Sequence, residues 1–127
     1  MNIIIVDDEG IVRDILATIL IDNGFDVQTA DSAQEGLRLL TESPADFIIT
    51  DFLMPHMDGV ELLKEAKRIR PDIKVILMSG HMDLDGSMTA SAGEAYAVLQ
   101  KPFDFRALMD LLSAAPHAES GDTVLLS

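Results

Sequence analysis

The chain has 127 residues, and its 22 acidic and 9 basic residues give a formal net charge of −13. That length suits a single globular domain with a sizeable core. A surface of this charge repels nucleic-acid phosphates and anionic lipids, so direct binding to nucleic acid or to a membrane is not expected. The chain contains no cysteine, which excludes disulfides and cysteine-ligated metals and favours a cytoplasmic location.

Short β-branched runs alternate with segments of helical periodicity along the chain. The pattern predicts strands at 2–6, 25–29, 46–50, 74–78 and 97–100, and helices at 10–20, 32–41, 60–69, 83–93 and 105–114. Ser32 with Glu35 three residues on is typical of a capping box, and Asp58 is placed to cap the helix that follows it. This alternation predicts an α/β fold, a five-stranded parallel sheet with helices on both faces.

The last part of the chain differs from the rest. Residues 1–115 are expected to form the domain, and residues 116–127 a flexible tail or the remnant of a linker. The polar run after Pro116 favours disorder. The apolar end, Val124-Leu125-Leu126, is also compatible with a docking segment. A stand-alone domain and a piece of a longer protein both remain open.

Acidic, hydroxyl and basic side chains follow the ends of four predicted strands. Asp7 and Asp8 follow the first, Asp51 the third, Ser79 the fourth and Lys101 the fifth. Because parallel strands place their carboxyl ends at one edge of a sheet, we expect these side chains to lie together. Three close carboxylates repel one another and favour a hard divalent cation such as Mg²⁺. An ionised aspartate can attack a phosphoryl group without a general base, and a lysine can supply positive charge to that group.

These residues carry a resemblance to a known family. The set resembles the receiver domain of two-component response regulators in both order and placement, with the elements Asp7-Asp8, Asp51 with Met54-Pro55 and Asp58-Gly59, Ser79-Gly80, and Lys101-Pro102-Phe103. The likeness covers about residues 2–115. It implies a (βα)5 flavodoxin-like, or CheY-like, fold. It also implies a histidine-to-aspartate phosphorelay, in which phosphorylation switches a conformation that a protein partner reads.

The resemblance also implies a metal site. Asp51 matches the phosphoacceptor, and Asp8 and Asp51 match direct ligands of Mg²⁺, with Mn²⁺ as a substitute. The backbone carbonyl of Leu53 matches a third ligand, and Asp7 matches a residue that acts through metal-bound water. No other cofactor is implied.

A second group of residues matches the switch of the family. Ser79 matches the switch hydroxyl, Lys101 matches the lysine that meets the phosphoryl group, and Pro102 matches the cis peptide that orients this lysine. Val98 stands where the family usually carries an aromatic residue. Tyr96 lies two residues earlier, which strand alternation predicts to be on the same face.

Two positions are variable in the family and tune the lifetime of the phosphoryl group. They are Leu53 and His81, each two residues after a site residue. The apolar Leu53 side chain cannot orient an attacking water, so we expect slow self-dephosphorylation.

The family takes phosphate from a sensor histidine kinase or a phosphotransfer protein, and it signals to a downstream protein or output domain. The resemblance therefore implies these partners. It also implies self-phosphorylation and self-dephosphorylation chemistry rather than a conventional enzyme. A homodimer through the face formed by residues 83–93, 97–100 and 105–114 is a further expectation.

Two other functions remain open. One is a pseudo-receiver that binds partners without phosphorylation, for which the replacement of an aromatic residue by Val98 leaves room. The other is an aspartate-nucleophile phosphatase. That class requires a second aspartate two residues after the nucleophile, where this chain has Leu53, and a cap domain that this chain lacks.

Overall fold

The computed structural model describes residues 1–52, 57–79, 95–100, 104–114 and 124–126. Its elements follow one another as β1 (Asn2–Val6), α1 (Gly10–Asp22), β2 (Asp26–Ala30), α2 (Ala33–Glu42), β3 (Phe47–Asp51), α3 (Gly59–Ile69), β4 (Lys74–Ser79), β5 (Ala97–Gln100), α4 (Phe105–Ala114) and β6 (Val124–Leu126). The predicted helix at 83–93 lies outside the described residues. Within the described ranges, no helix is long and apolar enough to cross a membrane.

All strands belong to one parallel sheet. Their order across the sheet is β2-β1-β3-β4-β5-β6. The predicted α/β fold with five parallel strands is therefore confirmed, and a sixth strand is added. The chain moves from β1 to β2 on one side and then to β3 on the other, so the strand order reverses between β1 and β3. Ligands of open parallel sheets bind at the carboxyl ends of the strands at such a reversal.

The sheet separates two apolar clusters, as strand alternation requires. One cluster joins the sheet to α2 and α3, and its buried members include Ile4, Ile48, Val75, Leu40 and Leu62. The other joins the sheet to α1 and α4 through Ile3, Ile5, Ile49, Ile76, Leu20 and Leu108. The central strands are buried on both faces, which explains why they read as continuous apolar runs.

The ends of the helices follow local rules. Gly24, just after the end of α1, has a φ of 92°, a value that favours glycine because it has no Cβ. Asp58 caps α3 by accepting a hydrogen bond from the backbone N–H of Glu61, whose side chain accepts one from the backbone N–H of Asp58. This reciprocal pair confirms the predicted cap and fixes the start of α3 next to β3.

The structure differs from the sequence-based expectation at the end of the chain. The residues Val124–Leu126, for which disorder was the favoured state, form strand β6 beside β5. The physical reason is that α4 runs back along the sheet, so that the next segment can enter parallel to β5 in a β-α-β arrangement. The boundary predicted at residue 115 lies outside the described residues.

Candidate phosphoacceptor site

The site begins where β1 and β3 end. Val6 and Thr50 are paired across these two strands, and Asp7 and Asp51 each lie one residue further on. The two carboxylates are therefore brought to the same level of the sheet. One carboxylate oxygen from each of Asp7, Asp8 and Asp51 lies within 4.8 Å of the others. The structure thus brings together the three acids that the sequence predicted at this edge.

The three acids differ in exposure. Asp7 is fully buried and Asp51 is 9% exposed, whereas Asp8 faces solvent. Burial lowers the local dielectric constant, so repulsion between these charges is stronger than it would be at an open surface. A cation between them would remove this repulsion.

The donor set fits a small divalent cation. Mg²⁺ binds oxygen ligands at about 2.0–2.1 Å in octahedral geometry, so its ligand atoms lie roughly 3–4 Å apart. Carboxylate oxygens within 4.8 Å of one another need only small rotations to reach such spacing. Asp8 is exposed, so a cation bound by its carboxylate would also be reached by water. Among the described residues, the cluster contains only carboxylate ligands and none of the sulfur or imidazole ligands that softer metals prefer.

Asp7 is held by backbone and side-chain contacts from α1 and β2. Its Oδ1 accepts a hydrogen bond of 2.9 Å from the backbone N–H of Glu9, and its carbonyl accepts one of 2.8 Å from Nη1 of Arg13. Its own N–H donates to the carbonyl of Ala30 at 3.1 Å. The sequence analysis did not predict that Arg13 would bind the carbonyl of Asp7. The only signal for this contact in the sequence was the place of Arg13 in the first turn of α1.

The backbone around Asp51 is packed tightly against the start of α3. The backbone N–H of Phe52 donates to the carbonyl of Met78 in β4, and the N–H of Gly59 donates to the carbonyl of Phe52, both at 2.8 Å. A Cβ at Gly59 would lie 3.0 Å from the carbonyl oxygen of Asp51, 3.0 Å from Cα of Phe52 and 2.9 Å from Cδ2 of Leu77. Only glycine allows α3 to start this close to the end of β3.

Ser79 lies beside this cluster. It is the last residue of β4 and is 5% exposed. Asp51 pairs with Met78, so Ser79 is one residue beyond the partner of Asp51 on the neighbouring strand. Leu53, His81, Lys101 and Pro102 lie outside the described residues, and their predicted roles stay predictions.

The expected relation between Val98 and Tyr96 is wrong. Val98 is buried in the cluster of α2 and α3, whereas Tyr96 packs with the cluster of α1 and α4. The ring of Tyr96 meets Phe47 edge-on at 5.8 Å, and its hydroxyl donates to the carbonyl of Leu111 at 2.9 Å. Strand β5 begins only at Ala97, so strand alternation does not extend to Tyr96.

These observations define a class of protein: a flavodoxin-like parallel α/β domain with a cluster of carboxylates at the point where its strand order reverses. The family model of the response regulator receiver domain matches residues 3–113. The chain belongs to this family. It is a receiver domain of two-component signalling, with the phosphoacceptor role of that family, and the resemblance inferred from the motifs is confirmed.

Individual relatives agree with this assignment. The DNA-binding transcriptional regulator NtrC of Klebsiella pneumoniae is 38% identical over 111 residues, which make up 87% of this chain and 24% of that protein. NtrC of Azospirillum brasilense is 32% identical over 124 residues, 98% of this chain and 26% of that protein. The chain therefore spans about a quarter of the length of these two relatives.

The fold also matches that of a solved receiver domain. The crystal structure of a response regulator receiver domain protein from Clostridium thermocellum superimposes with a TM-score of 0.83 at 36% sequence identity. The match covers 91% of this chain and 94% of that chain.

Proposed function

We propose that Asp51 is the phosphoacceptor of this receiver domain and that it takes its phosphoryl group from a phosphohistidine. The observation that carries this proposal is the convergence of Asp7, Asp8 and Asp51 at the carboxyl edge of the sheet. Asp51 ends the central strand β3, and the residue keeps 9% of its surface exposed.

The reaction needs little from the protein beyond position and charge. A carboxylate oxygen of Asp51 attacks phosphorus, a P–O bond forms, the P–N bond to the donor imidazole breaks, and the imidazole takes up a proton. In the reverse half of the cycle, water attacks the same phosphorus. The P–O bond to Asp51 then breaks, inorganic phosphate leaves, and the carboxylate is restored. The chain carries both reactions on itself, which is why it is not a conventional enzyme.

We further propose that Asp8 and Asp51 bind Mg²⁺ directly, with Mn²⁺ as a substitute, and that Asp7 contributes through water. In this proposal the backbone carbonyl of Leu53 is the third direct ligand of the cation. When bound, the cation would neutralise the carboxylates and the developing charge on the phosphoryl oxygens. The burial of Asp7 and its hydrogen bond from the N–H of Glu9 support a fixed, preoriented carboxylate.

The remaining predicted residues act on the phosphorylated state. Ser79 donates its hydroxyl to a phosphoryl oxygen, and Lys101, aimed by the peptide bond to Pro102, provides positive charge. In this proposal Leu53 and His81, two residues after Asp51 and Ser79 in the sequence, set the lifetime of the phosphoryl group. The position of Ser79 at the end of β4, beside β3, supports its part in this assignment.

The phosphate donor is a sensor histidine kinase or a phosphotransfer protein, and α1 offers it a docking surface. Ile11 is 78% exposed and Ile15 is 50% exposed. They lie four residues apart and so share one face of a helix that begins two residues after Asp8. Contiguous exposed apolar side chains are a feature of protein interaction surfaces. Replacing Ile15 with arginine should abolish transfer from those phosphorylated kinases that label the wild type, while labelling by a small acyl phosphate continues.

A downstream protein or an output domain reads the switch, as the output regions of the longer NtrC relatives suggest. The domain acts in the cytoplasm in this proposal. A homodimer through the face of residues 83–93, β5 and α4 is part of this proposal as well.

The deciding experiment measures the intact mass after incubation with Mg²⁺ and a small acyl phosphate, for the wild type and for Asp51→Asn. Asp58→Asn is the matched control, because it removes a nearby acid outside the cluster while asparagine still caps a helix. We expect a phosphoryl adduct on the wild type and on the control, and none on Asp51→Asn. Reduction of the adduct with borohydride should convert residue 51 to homoserine. Failure of both acyl phosphates and phosphorylated histidine kinases to label the wild type would support the pseudo-receiver instead.

A further inference from the structure

The two edges of the sheet are protected differently. Strand β2 forms one edge, and three of its five residues, Asp26, Gln28 and Thr29, are exposed polar side chains. Charged and polar side chains on an edge strand discourage pairing with another chain. Strand β5 has no charged residue, and its residues Ala97–Leu99 are at most 3% exposed. This strand is covered on its outer side by β6.

The backbone of β4 shows which way its neighbours face. In a parallel sheet the N–H and C=O of one residue point to the same neighbouring strand, and those of the next residue point to the other. Lys74 donates its N–H to Asp46, and the carbonyl of Met78 accepts from Phe52, so these alternate residues of β4 face β3. Leu77 belongs to the other alternating set of β4 residues, so its backbone N–H and C=O face β5.

The same alternation assigns the backbone groups of β5. Leu77 pairs with Val98, and a residue that faces its neighbour bonds to the two residues flanking its partner. Ala97 and Leu99 therefore face β4. It follows that Val98 and Gln100 face β6.

The register of β6 completes the pattern. Val98 pairs with Leu125, and it faces β6, so its backbone groups meet those of Val124 and Leu126. The N–H of Leu126 is thus directed at β5, whereas the N–H of Leu125 is directed away from the sheet. The two neighbouring leucines of β6 differ in whether their N–H serves the pairing.

We propose that Val124–Leu126 docks in cis on the outer edge of β5 and thereby prevents that edge from pairing with a second copy of the chain. Two β5 edges related by a two-fold axis would run antiparallel and would join two sheets into one, as uncovered apolar edges tend to do. A strand of three residues binds weakly by itself. Its attachment through residues 115–123 gives it an effective concentration on the order of mM, which a second copy does not reach in dilute solution. This proposal is independent of the phosphoacceptor assignment.

Two proline variants of the full-length chain test the proposal. Leu126→Pro removes an N–H that the pairing uses, and Leu125→Pro removes one that points outward, where proline is tolerated in an edge strand. Amide hydrogen exchange is measured by NMR at the lowest workable protein concentration. In Leu126→Pro we expect protection of Val98 and Gln100 to fall by a factor of ten or more, on the order of one net hydrogen bond of about 1.4 kcal/mol. Ala97 and Leu99, whose N–H groups serve β4, should keep their protection and so report an intact fold.

Sedimentation velocity over a range of protein concentrations tests the second half of the proposal. We expect Leu126→Pro to form a dimer at concentrations where the wild type and Leu125→Pro show a smaller mass. Equal exchange at Val98 in the two proline variants would overturn the docking of β6. Loss of that protection without any gain in mass would overturn the role of β6 in preventing self-association.

Discussion

Replacing Gly59 with alanine should damage both the stability of the domain and the reactivity of Asp51. The added Cβ would lie 2.9 Å from Cδ2 of Leu77 and 3.0 Å from both the carbonyl oxygen of Asp51 and Cα of Phe52. The leucine methyl group can rotate away. The other two atoms belong to the backbone that carries the proposed phosphoacceptor, and that backbone is hydrogen-bonded to β4. Relief therefore requires α3 or the end of β3 to move.

The magnitude follows from two opposing effects. Overpacking of a well-packed site costs typically about 1–3 kcal/mol. Reduced entropy of the unfolded chain returns about 0.4–1 kcal/mol when glycine becomes alanine. We therefore expect a net loss of about 1–2 kcal/mol in the free energy of unfolding. A 1 Å misplacement at a reaction centre costs about 100-fold in rate, so a shift of a few tenths of an ångström should slow phosphorylation about three- to tenfold.

Gly10→Ala is the matched control. Gly10 is likewise the first residue of its helix, but a Cβ there would meet only the end of the Arg13 side chain, at an ordinary 3.5 Å. Urea unfolding followed by circular dichroism gives the stability of each variant, and intact mass against time with an acyl phosphate gives the rate. Gly10→Ala should be as stable as the wild type or slightly more so. If Gly59→Ala were equally stable and equally reactive, the close approach of α3 to Asp51 would be refuted.

Three further predictions concern the core, the metal site and the tyrosine. Gly36→Ala should cost about 1–3 kcal/mol because its Cβ would lie 2.6 Å from Cγ2 of Val6, and a urea double-mutant cycle with Val6→Ala should recover at least about 0.5 kcal/mol of that cost. Mg²⁺ at 100 times its dissociation constant should stabilise the wild type by about 2.7 kcal/mol in thermal unfolding, and an equal shift in Asp8→Asn would contradict the metal site. Burial raises the pKa of the Tyr96 phenol above its ordinary 10.0, so the stability from this group is present below pH 10.0 and is lost as the pH rises through the higher folded-state value. Tyr96→Phe should therefore cost about 0.5–1.5 kcal/mol at neutral pH, through the lost bond to Leu111, and unfolding measurements above pH 10.0 should show a smaller difference.

Periodicity predicted most of the fold because the sheet is buried on both faces. A β-branched run as short as Ile3 to Val6 is typical of a buried strand. The strand register then places the acids that follow such runs at one edge of the sheet. Boundaries moved by one or two residues, as at α1, which extends to Asp22 instead of residue 20. The convergence of Asp7, Asp8 and Asp51 was predictable because it follows from topology rather than from side-chain packing.

Features that depend on which partner a side chain chooses were not predictable. The pairing of Ser32 and Glu35 is only half of a capping box, because the Glu35 carboxylate is taken by Arg38. This ion pair lowers the pKa of Glu35 through the hydrogen bond from the guanidinium. Tyr96 packs on the α1 and α4 side of the sheet instead of the side predicted by strand alternation. On that side its hydroxyl donates to the carbonyl of Leu111, fifteen residues further along the chain.

The parallel direction of β6 determines where a longer chain would leave the domain. After α4 alone, the backbone stands at the amino edge of the sheet, on the side opposite Asp51. Three residues of parallel strand carry it about 10 Å back across the sheet, toward the edge at which β1, β3 and β4 present their acids and hydroxyl. In a longer chain, any following segment would set out from the carboxyl edge of the sheet, three strands away from β3 and Asp51. With β6 docked, a following segment would leave the domain at the carboxyl edge of the sheet. With β6 released, it would leave from the end of α4 at the amino edge. Pairing of a three-residue strand would thus change the position of any segment that follows it.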